Sequence, residues 1–483
     1  MSRGERAPLL QERLSEEGES REILRLEDFP EENPRTWAKW RKMANVGVIA
    51  LMSIVSPLVS SMFTPGIDEI AKDLNCSTTA VIGTTTGFVV MLGIGPLLLA
   101  PLSETFGRRV VYLTCFSIFT LLQIPTALAP NIAFLITVRS VAGFFGSVGI
   151  ANGGGTISDM FVPSERAGVF GWYLLGPLLG PTLGPLFGGI IVQRLGWRWV
   201  FWVMTIVCFV NTLAGYFFLR ESYAPEILKR KKAKYEEEAS DMEGTKYSYE
   251  GEDGRPFKQR IAQSLTRPPK IFAQPIVATM AVYQALIFGT TYSIYTNMQP
   301  IYQDLYGFDT EKVGLLYLGP GLGFLFAVWF LVPRIDTVYK SLTAKNNGKA
   351  KPEFRLPLAN IGAVFIPVSL FWFAWTVEKH AHWFASISGT FFYGIGQVMI
   401  LNCTQNYFID SFEQYAASAI AAGAVFRSLV GGIIPLGAPA LFEKLGYGWG
   451  ISVFAFVSLL LAPAPLMFYI FGERIRERFK VNL

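Results

Sequence analysis

The chain is poor in charged residues and in cysteine. Asp, Glu, Lys and Arg make up 16% of its 483 residues, whereas a soluble protein of this size carries about 25%. The four cysteines, Cys76, Cys115, Cys208 and Cys403, show no paired spacing, and three of them fall inside apolar runs. Such cysteines act as small hydrophobic side chains. We therefore expect no disulfide and no metal site.

Nothing in the sequence indicates an enzyme or a cofactor site. Histidine occurs only at His380 and His382, both in a predicted outer loop. There is no Walker motif, so ATP is not the expected energy source, and the glycine-rich stretch 153–155 lies in an apolar helix rather than after a strand. The net charge of +5 comes from basic residues in loops between apolar runs, which argues against a nucleic-acid partner.

Long apolar runs are what the chain has in abundance. Its mean hydropathy is +0.36, and about 20 apolar residues are enough for one helix to cross a bilayer. The runs predict an all-α membrane protein with twelve transmembrane helices. The predicted spans are residues 43–64, 80–101, 110–129, 133–156, 167–191, 198–219, 275–297, 313–333, 357–377, 383–408, 416–441 and 449–471.

The basic residues between the spans predict the orientation of the chain. They cluster on one side of a topology with an even number of spans, and cytosolic loops carry an excess of Lys and Arg. Both termini are therefore expected in the cytosol, although Arg194 and Arg198 fall on the other side. The clusters lie at residues 39–42, 108–109, 229–234, 334–355 and 474–480.

A central polar break divides the chain into two halves of six spans. The expected parts are a disordered acidic tail with an interfacial segment (1–42), a six-helix bundle (43–220), a cytosolic linker (221–274), a second six-helix bundle (275–472) and a basic cytosolic tail (473–483). The start is too acidic for a signal peptide. Residues 5–10 resemble an acidic dileucine sorting signal, so a vacuolar or endosomal membrane is the alternative to the plasma membrane.

Glycine and proline repeat at intervals of four in the fifth span. The stretch reads Gly180-Pro181-Thr182-Leu183-Gly184-Pro185-Leu186-Phe187-Gly188-Gly189. Residues four apart lie along one helix face, and a face of small residues allows close helix packing in a membrane. One interpretation is plain helix packing. The other is a bent, tightly packed helix that seals or rocks during transport.

Two motifs resemble those of known transporters. With Gly171 nine residues upstream, the glycine and proline repeat resembles the antiporter signature on the fifth helix of drug:proton antiporters in the major facilitator superfamily. The loop after the second span resembles the loop motif of the same superfamily, in the form found in fungal drug and polyamine antiporters. That loop reads Ala100-Pro101-Leu102-Ser103-Glu104-Thr105-Phe106-Gly107-Arg108-Arg109, with Ala100, Glu104 and Thr105 departing from the usual residues.

The loop motif predicts a cytoplasmic latch. Glu104 can sit against a helix N-terminus or an arginine, and Arg108 and Arg109 against carboxylates. Asp159 and Glu165, at the inner end of the fourth span, are the candidate partners. The alternative is that the two arginines only anchor the topology.

Two arginines fall within predicted spans, where a cation is costly and usually faces a cavity or a partner. Arg139 in the fourth span resembles the arginine motif that the superfamily ties to proton coupling; a structural tie between helices is the alternative. The first span contains no acid to pair with it, so the proton carrier is not identified. Arg427 in the eleventh span could attract an anionic substrate or pair with Asp410 or Glu413.

Polar and aromatic residues in three spans predict a substrate cavity. Aromatic rings provide adaptable apolar contact, and amides form hydrogen bonds without fixing a charge. Hydrogen bonding between helices is the competing explanation for any single amide. The candidates are Asn152, Tyr283, Gln284, Phe288, Tyr292, Asn297, Gln397, Asn402, Gln405, Asn406 and Tyr407.

Taken with the resemblance, which covers nearly all of residues 34–480, these features predict a secondary transporter of the major facilitator fold. The resemblance implies export of a drug, toxin or secondary metabolite in exchange for protons. An exporter of a metabolite or organic acid, with Arg427 as the anion anchor, is the first alternative. A nutrient sensor that does not transport is the second. We expect a monomer in a lipid bilayer, with no cofactor.

Overall fold

The computed structural model describes residues 21–238, 246–250, 256–412 and 416–479. Helices dominate these residues because most of the apolar runs must satisfy their backbone hydrogen bonds internally. The first ten helices are α1 (Lys39–Ser61), α2 (Ile67–Asp73), α3 (Thr78–Phe106), α4 (Arg108–Ala127), α5 (Ile132–Gly146), α6 (Val148–Met160), α7 (Pro163–Leu195), α8 (Trp197–Phe218), α9 (Ala224–Glu238) and α10 (Phe257–Phe272).

The second half of the chain contains eight further α-helices among the described residues. They are α11 (Pro275–Tyr306), α12 (Thr310–Leu316), α13 (Leu318–Phe326), α14 (Val332–Lys345), α15 (Ala359–Glu378), α16 (Trp383–Ser411), α17 (Ala416–Leu461) and α18 (Ala464–Arg478). A π-helical segment, Ala327–Leu331, joins α13 to α14.

Eleven helical stretches in the described part of the chain are long and apolar enough to cross a membrane. The last of them contains two crossings, because Gly446 interrupts α17 with φ 72° and ψ 171°. A positive φ is inexpensive only for glycine, so the chain turns at this residue. Each of the twelve predicted spans falls on one of the resulting segments. The predicted all-α fold with twelve transmembrane helices is confirmed.

The helices form two bundles with separate cores. The buried residues of one hydrophobic cluster lie between Val46 and Leu219. Those of the other large cluster lie between Tyr283 and Ala455. Large apolar side chains also point outward, as Phe217 does with 71% of its surface exposed. Outward apolar side chains suit helices whose outer faces contact lipid.

The N-terminal part of the described chain and the segment between the bundles contain regular structure that the sequence did not predict. The strand β1 (Arg21–Leu24), in the predicted disordered tail, pairs in parallel with β2 (Lys246–Tyr249), in the predicted linker. Helices α9 and α10 occupy most of the rest of that linker. Residues 1–20, with the dileucine-like sequence, lie outside the described residues. Residues 33–42, the predicted interfacial segment, form a 3-10 turn (Pro34–Thr36) and the start of α1.

Candidate functional site

A cavity of about 180 Å³ lies between the two bundles, near the middle of the helices. We call one end of the molecule the basic end; it carries residues 39–42, 108–109 and the α8–α9 connection. The other end is called the opposite end. The cavity is lined from α7 by Leu175, Pro177, Leu178 and Pro181, from α11 by Phe288, Thr291, Tyr292 and Tyr295, from the α13–α14 region by Phe324, Val328 and Val332, from α16 by Gln397, Leu401, Asn402 and Gln405, and from α17 by Arg427.

The structure brings about half of the predicted cavity residues to this cavity. They are Phe288, Tyr292, Gln397, Asn402 and Gln405, and Arg427, which was predicted separately, lines the cavity with them. The other candidates lie elsewhere among the described residues. Asn297 lines a recess at the opposite end, and Asn406 donates to the carbonyl of Asn402 on its own helix. Tyr283, Gln284 and Tyr407 are buried in helix packing.

Asn152 participates in packing between helices rather than in the cavity. Its Oδ1 accepts a hydrogen bond of 2.9 Å from the hydroxyl of Ser103, and its side chain is 1% exposed. Ser103 also accepts a bond of 2.6 Å from Nη1 of Arg108. Asn152 therefore belongs to the polar network of the loop motif.

Helix α7 contributes prolines to the cavity and glycines to helix contacts. Pro177 and Pro181 line the cavity. A Cβ atom on Gly184 would come within 2.6 Å of the Leu58 carbonyl of α1, and one on Gly188 would overlap the Met62 carbonyl. The neighbouring Gly189 faces the other half, where an added Cβ atom would come within 2.7 Å of the Thr310 carbonyl. A Cβ atom on Gly180 would likewise be too close to Pro57 and to the Ile54 carbonyl of α1. The glycines let α7 approach α1 and α12 closely at the same time.

The π-helical segment Ala327–Leu331 lies beside the cavity, and its Val328 lines the cavity wall. A π turn inserts one residue into a helix and often occurs at functional sites. Sequence reasoning missed this wall because its residues are apolar and resemble ordinary membrane-facing side chains. The same applies to Leu175 and Leu178 on α7.

Arg427 is the only charged residue among the described residues that line the central cavity. Its guanidinium carbon lies 5.2 Å from the ring centroid of Phe288. Its Nε atom is buried and has no hydrogen-bond partner. A cation with an unused donor in a mostly apolar cavity is a candidate contact for an anionic or carbonyl-bearing ligand.

Arg139 is surrounded by aromatic rings. Its guanidinium carbon lies 4.2 Å from the Phe63 ring centroid, 5.2 Å from that of Phe88 and 5.3 Å from that of Phe201. Its Nη2 donates to the Val59 carbonyl at 3.3 Å, whereas Nε and Nη1 are buried without a partner. The arginine therefore joins α5 to α3, α8 and the segment after α1 through cation–π contacts, and to α1 itself through the Val59 carbonyl.

Arg108 forms an ion pair with Asp159. The distance from Nε to Oδ2 is 3.3 Å, and the arginine side chain is 8% exposed. The guanidinium also lies 5.0 Å from the ring centroid of Tyr223. Asp159, one of the two predicted acidic partners, therefore contacts Arg108. The side chain of the other, Glu165, is not among the side chains that the structure describes. Glu104 is exposed.

Glu221 organises the start of α4, although no sequence motif indicated it. Its carboxylate accepts the backbone N–H groups of Arg108 at 2.9 Å and Arg109 at 3.1 Å, the first two residues of the helix. It also accepts those of Ser222 and Tyr223. A carboxylate at a helix N-terminus satisfies free donors and complements the helix dipole. The guanidinium of Arg109 donates to the Tyr216 carbonyl instead.

Contacts between the halves close the cavity from the opposite end. The hydroxyl groups of Ser60 and Tyr292 lie 2.9 Å apart, and Thr86 donates to the Gly432 carbonyl at 2.7 Å. Farther out, Arg194 on α7 pairs with Glu311 on α12. The basic end differs. There, each described ion pair that includes a residue of a transmembrane helix lies within one half, as in Arg108–Asp159 and Arg355–Asp410.

Two larger recesses lie at the opposite end, with volumes of about 540 and 850 Å³. Asp68 lines both of them, and Glu378 and Glu443 line the smaller one. They share no lining residue with the central cavity. We take the smaller central cavity as the candidate site because it contains the cation Arg427 and five of the predicted substrate-binding residues.

The family model of the Major Facilitator Superfamily matches residues 49–435. Among curated proteins, the MFS-type transporter penM of Penicillium rubens is 40% identical over 455 residues, which cover 94% of this chain and 89% of that protein. The efflux pump radE of Floropilus chiversii is 37% identical over 459 residues, covering 93% and 84%.

The fold is also similar to solved transporter structures. The partially occluded, inward-open xylose transporter XylE from E. coli aligns with a TM-score of 0.65 at 15% identity, covering 90% of this chain and 98% of that one. A bacterial homologue of the human lysosomal transporter Spinster, in an inward-facing conformation, aligns with a TM-score of 0.63 at 13% identity, covering 92% and 99%. At these identities the likeness concerns the fold alone.

Proposed function

The chain belongs to the Major Facilitator Superfamily, and we propose that it is a proton-coupled antiporter that exports a small organic molecule. The observation that carries this proposal is the central cavity, which both halves line and which is closed from the opposite end by Ser60 and Tyr292. Relatives named as an MFS-type transporter and an efflux pump support export.

Alternating access requires the halves to change their contacts at both ends. At about 180 Å³, the cavity is smaller than the roughly 300–1,000 Å³ of typical ligand pockets. The halves therefore separate before a drug-sized molecule enters. Breaking the Arg194–Glu311 pair would open the opposite end, while the Arg108–Asp159 pair would stay within one half as it moves.

The proton gradient would supply the energy, because moving one charge through 100 mV is worth about 2.3 kcal/mol. The residues that line the cavity include no carboxylate among those described. Asp159 is the acid that we assign to coupling, since its protonation would remove the charge that faces Arg108.

The residues to which we assign coupling and gating are Glu104, Arg108, Arg109, Arg139, Asp159 and Arg427. The helix face that we propose to move is formed by Gly180, Pro181, Gly184, Pro185, Gly188 and Gly189.

Transport by the full chain in sealed vesicles tests this function. The vesicles are oriented with the basic end outside and have an acidic interior. The probes are fluorescein, an anion, and rhodamine 6G, a cation with the same ring system. Accumulation that nigericin abolishes supports proton-coupled export. Accumulation that nigericin leaves unchanged contradicts the coupling, and dye binding without accumulation favours a sensor.

Arg427 favours a second candidate function, export of organic acids. It is the single charge among the described cavity residues, and its Nε has no partner. Arg427→Gln should then abolish fluorescein transport, whereas Arg427→Lys, which keeps the positive charge, should retain part of it. Fluorescein transport that is unchanged in Arg427→Gln removes this candidate.

The membrane that contains the transporter is a further part of the proposal. We propose the plasma membrane, with the vacuolar or endosomal membrane as the alternative. A fluorescent fusion to the full chain distinguishes these locations, and replacing Leu9 and Leu10 tests the sorting sequence directly.

A further inference from the structure

We infer that a cleft at the basic end binds the phosphate-bearing headgroup of an anionic lipid. The cleft has a volume of about 400 Å³ and lies between the start of α1, the start of α4, the α8–α9 connection and α9. It is separate from the central cavity and shares no lining residue with it. The inference does not depend on the transported substrate or on proton coupling.

The charge of the cleft is predominantly positive. Its cationic residues are Arg41, Arg109, Arg220, Arg230, Lys231 and Lys234, and its acidic residues are Glu31, Glu32 and Glu221. Glu221 is already saturated, because its carboxylate accepts four backbone N–H groups. Six cations against three carboxylates leave the cleft with an excess of positive charge.

Two of the six cations have carboxylate partners and four do not. Lys231 pairs with Glu32 at 2.6 Å, and Arg230 pairs with Glu226 at 2.9 Å. Arg41, Arg109, Arg220 and Lys234 form no ion pair among the described residues. The Nε of Arg109 is buried and lacks any hydrogen-bond partner. Arginine presents a planar set of donors that matches phosphate oxygens, so these groups suit a phosphate better than water alone.

The surroundings of the cleft favour a lipid over a soluble phosphate. Arg41 follows Trp40, which is 64% exposed, and Arg109 precedes Val110, which is 46% exposed. Arg220 lies three residues after Phe217, which is 71% exposed. Exposed apolar side chains at helix ends belong at the edge of the bilayer, where tryptophan is common. The cations next to them lie at the level of the lipid headgroups.

Glu32 forms an ion pair with Lys231 and so competes with a phosphate for this lysine. It belongs to the segment that β1 holds against β2, and the ring of Phe29 from the same segment lies 5.2 Å from the Lys231 ammonium. A phosphate that entered the cleft would meet the four unpaired cations first and could then displace Glu32.

Lipid binding to the full-length protein tests the inference. The protein is placed in phosphatidylcholine nanodiscs with added phosphatidylinositol 4-phosphate, and retained lipid is measured by native mass spectrometry. The test variant is Arg220→Gln with Lys234→Gln, two exposed positions whose replacement leaves the helices intact. The matched control is Lys345→Gln with Lys349→Gln, which removes the same charge from the exposed end of α14 and the loop that follows it.

We expect about thirtyfold weaker binding in the cleft variant, because each basic residue near a membrane contributes about 1 kcal/mol. The control should bind as the parent protein does. A loss of lipid binding that is equal in the two variants, or no loss in either, would overturn the inference. The deacylated headgroup, glycerophosphoinositol 4-phosphate, distinguishes a lipid from a soluble phosphate as the ligand. If it binds as tightly as the lipid, the lipid assignment is overturned. Much weaker binding of the headgroup supports that assignment.

Discussion

Arg194 and Glu311 form a two-point ion pair across the interface between the halves. Nη2 of Arg194 lies 2.8 Å from Oε1 of Glu311, and its Nε donates to Oε2 at 3.2 Å. Beside it, the side chain of Gln193 accepts the backbone N–H of Thr310 at 3.2 Å. The pair joins the end of α7 to the start of α12 at the opposite end of the molecule.

Removing this pair should favour opening of the opposite end by a small amount. The Arg194 side chain is 65% exposed, and exposed pairs contribute about 0–1 kcal/mol. Arg194→Gln should therefore raise the ratio of open to closed molecules by at most about fivefold. Distances between spin labels on α7 and α12 measure this ratio. Lys312→Gln, which breaks a pair within α12 and its cap, is the control and should leave the ratio unchanged. A fall in the open fraction of Arg194→Gln would contradict the role.

Arg108→Ala should impair conformational cycling more than substrate binding. The substitution leaves Asp159 partly buried without its cation, and breaking such a pair is costly. We expect about a tenfold or greater loss of transport rate, with dye affinity changed much less. The control is Arg334→Ala, because Arg334 is an exposed arginine on α14 that forms no ion pair among the described residues. Equal losses in the two variants, or a loss confined to affinity, would exclude a latch specific to Arg108.

Arg139→Ala should abolish proton-driven export while the protein still reaches the membrane. The cation is held by three phenylalanine rings and one carbonyl, so its removal alters the contact of α5 with three other helices. Dye accumulation as a function of the pH difference measures coupling, and thermal unfolding measures packing.

Arg139→Lys separates the two roles left open for this residue. It keeps the charge but loses the planar group that stacks on the rings. If Arg139 serves coupling, the lysine variant keeps pH-dependent accumulation with a lower melting temperature. Unchanged pH-dependent flux in Arg139→Ala would refute coupling and leave only a structural tie.

Gly188→Ala should destabilise the contact between α7 and α1. The added Cβ would overlap the Met62 carbonyl, and a backbone atom cannot move away without shifting the helix. Overpacking of this kind costs about 1–3 kcal/mol. We expect a lower melting temperature and slower transport. Gly47→Ala on α1 is the matched control, since its Cβ would meet nothing within 4 Å; it should be neutral or slightly stabilising. Equal melting temperatures of the two variants would show that close packing at Gly188 is not required.

Part of the candidate site could be predicted from sequence. Arg427, Tyr292 and Gln397 stand out because polar and aromatic groups are unusual inside apolar spans, and the structure places all three at the cavity. Asn152 and Asn297 carry the same signal but lie elsewhere. The sequence specifies that an amide is in a membrane helix, whereas the rotation of the helix in the bundle specifies what the amide faces.

Other features gave no usable signal. Glu221 lies at the border between a span and a linker, where acids are common, yet it caps α4 from more than a hundred residues away. The pairing of β1 with β2 joins two short polar segments that contain no strong strand pattern. Contacts of this kind depend on the path of the whole chain and are not encoded in either segment alone.

The sequence by itself determined the twelve membrane crossings and the all-α architecture, because a helix needs a fixed length of apolar residues to satisfy its backbone inside a bilayer. It also identified Arg139 and Arg427 as exceptional, since a cation at that depth is costly wherever it points. Only the tertiary structure decided that Arg139 rests on aromatic rings and that Arg427 faces a cavity. Those surroundings are assembled from helices far apart in the chain, and their packing selects the neighbours of each side chain.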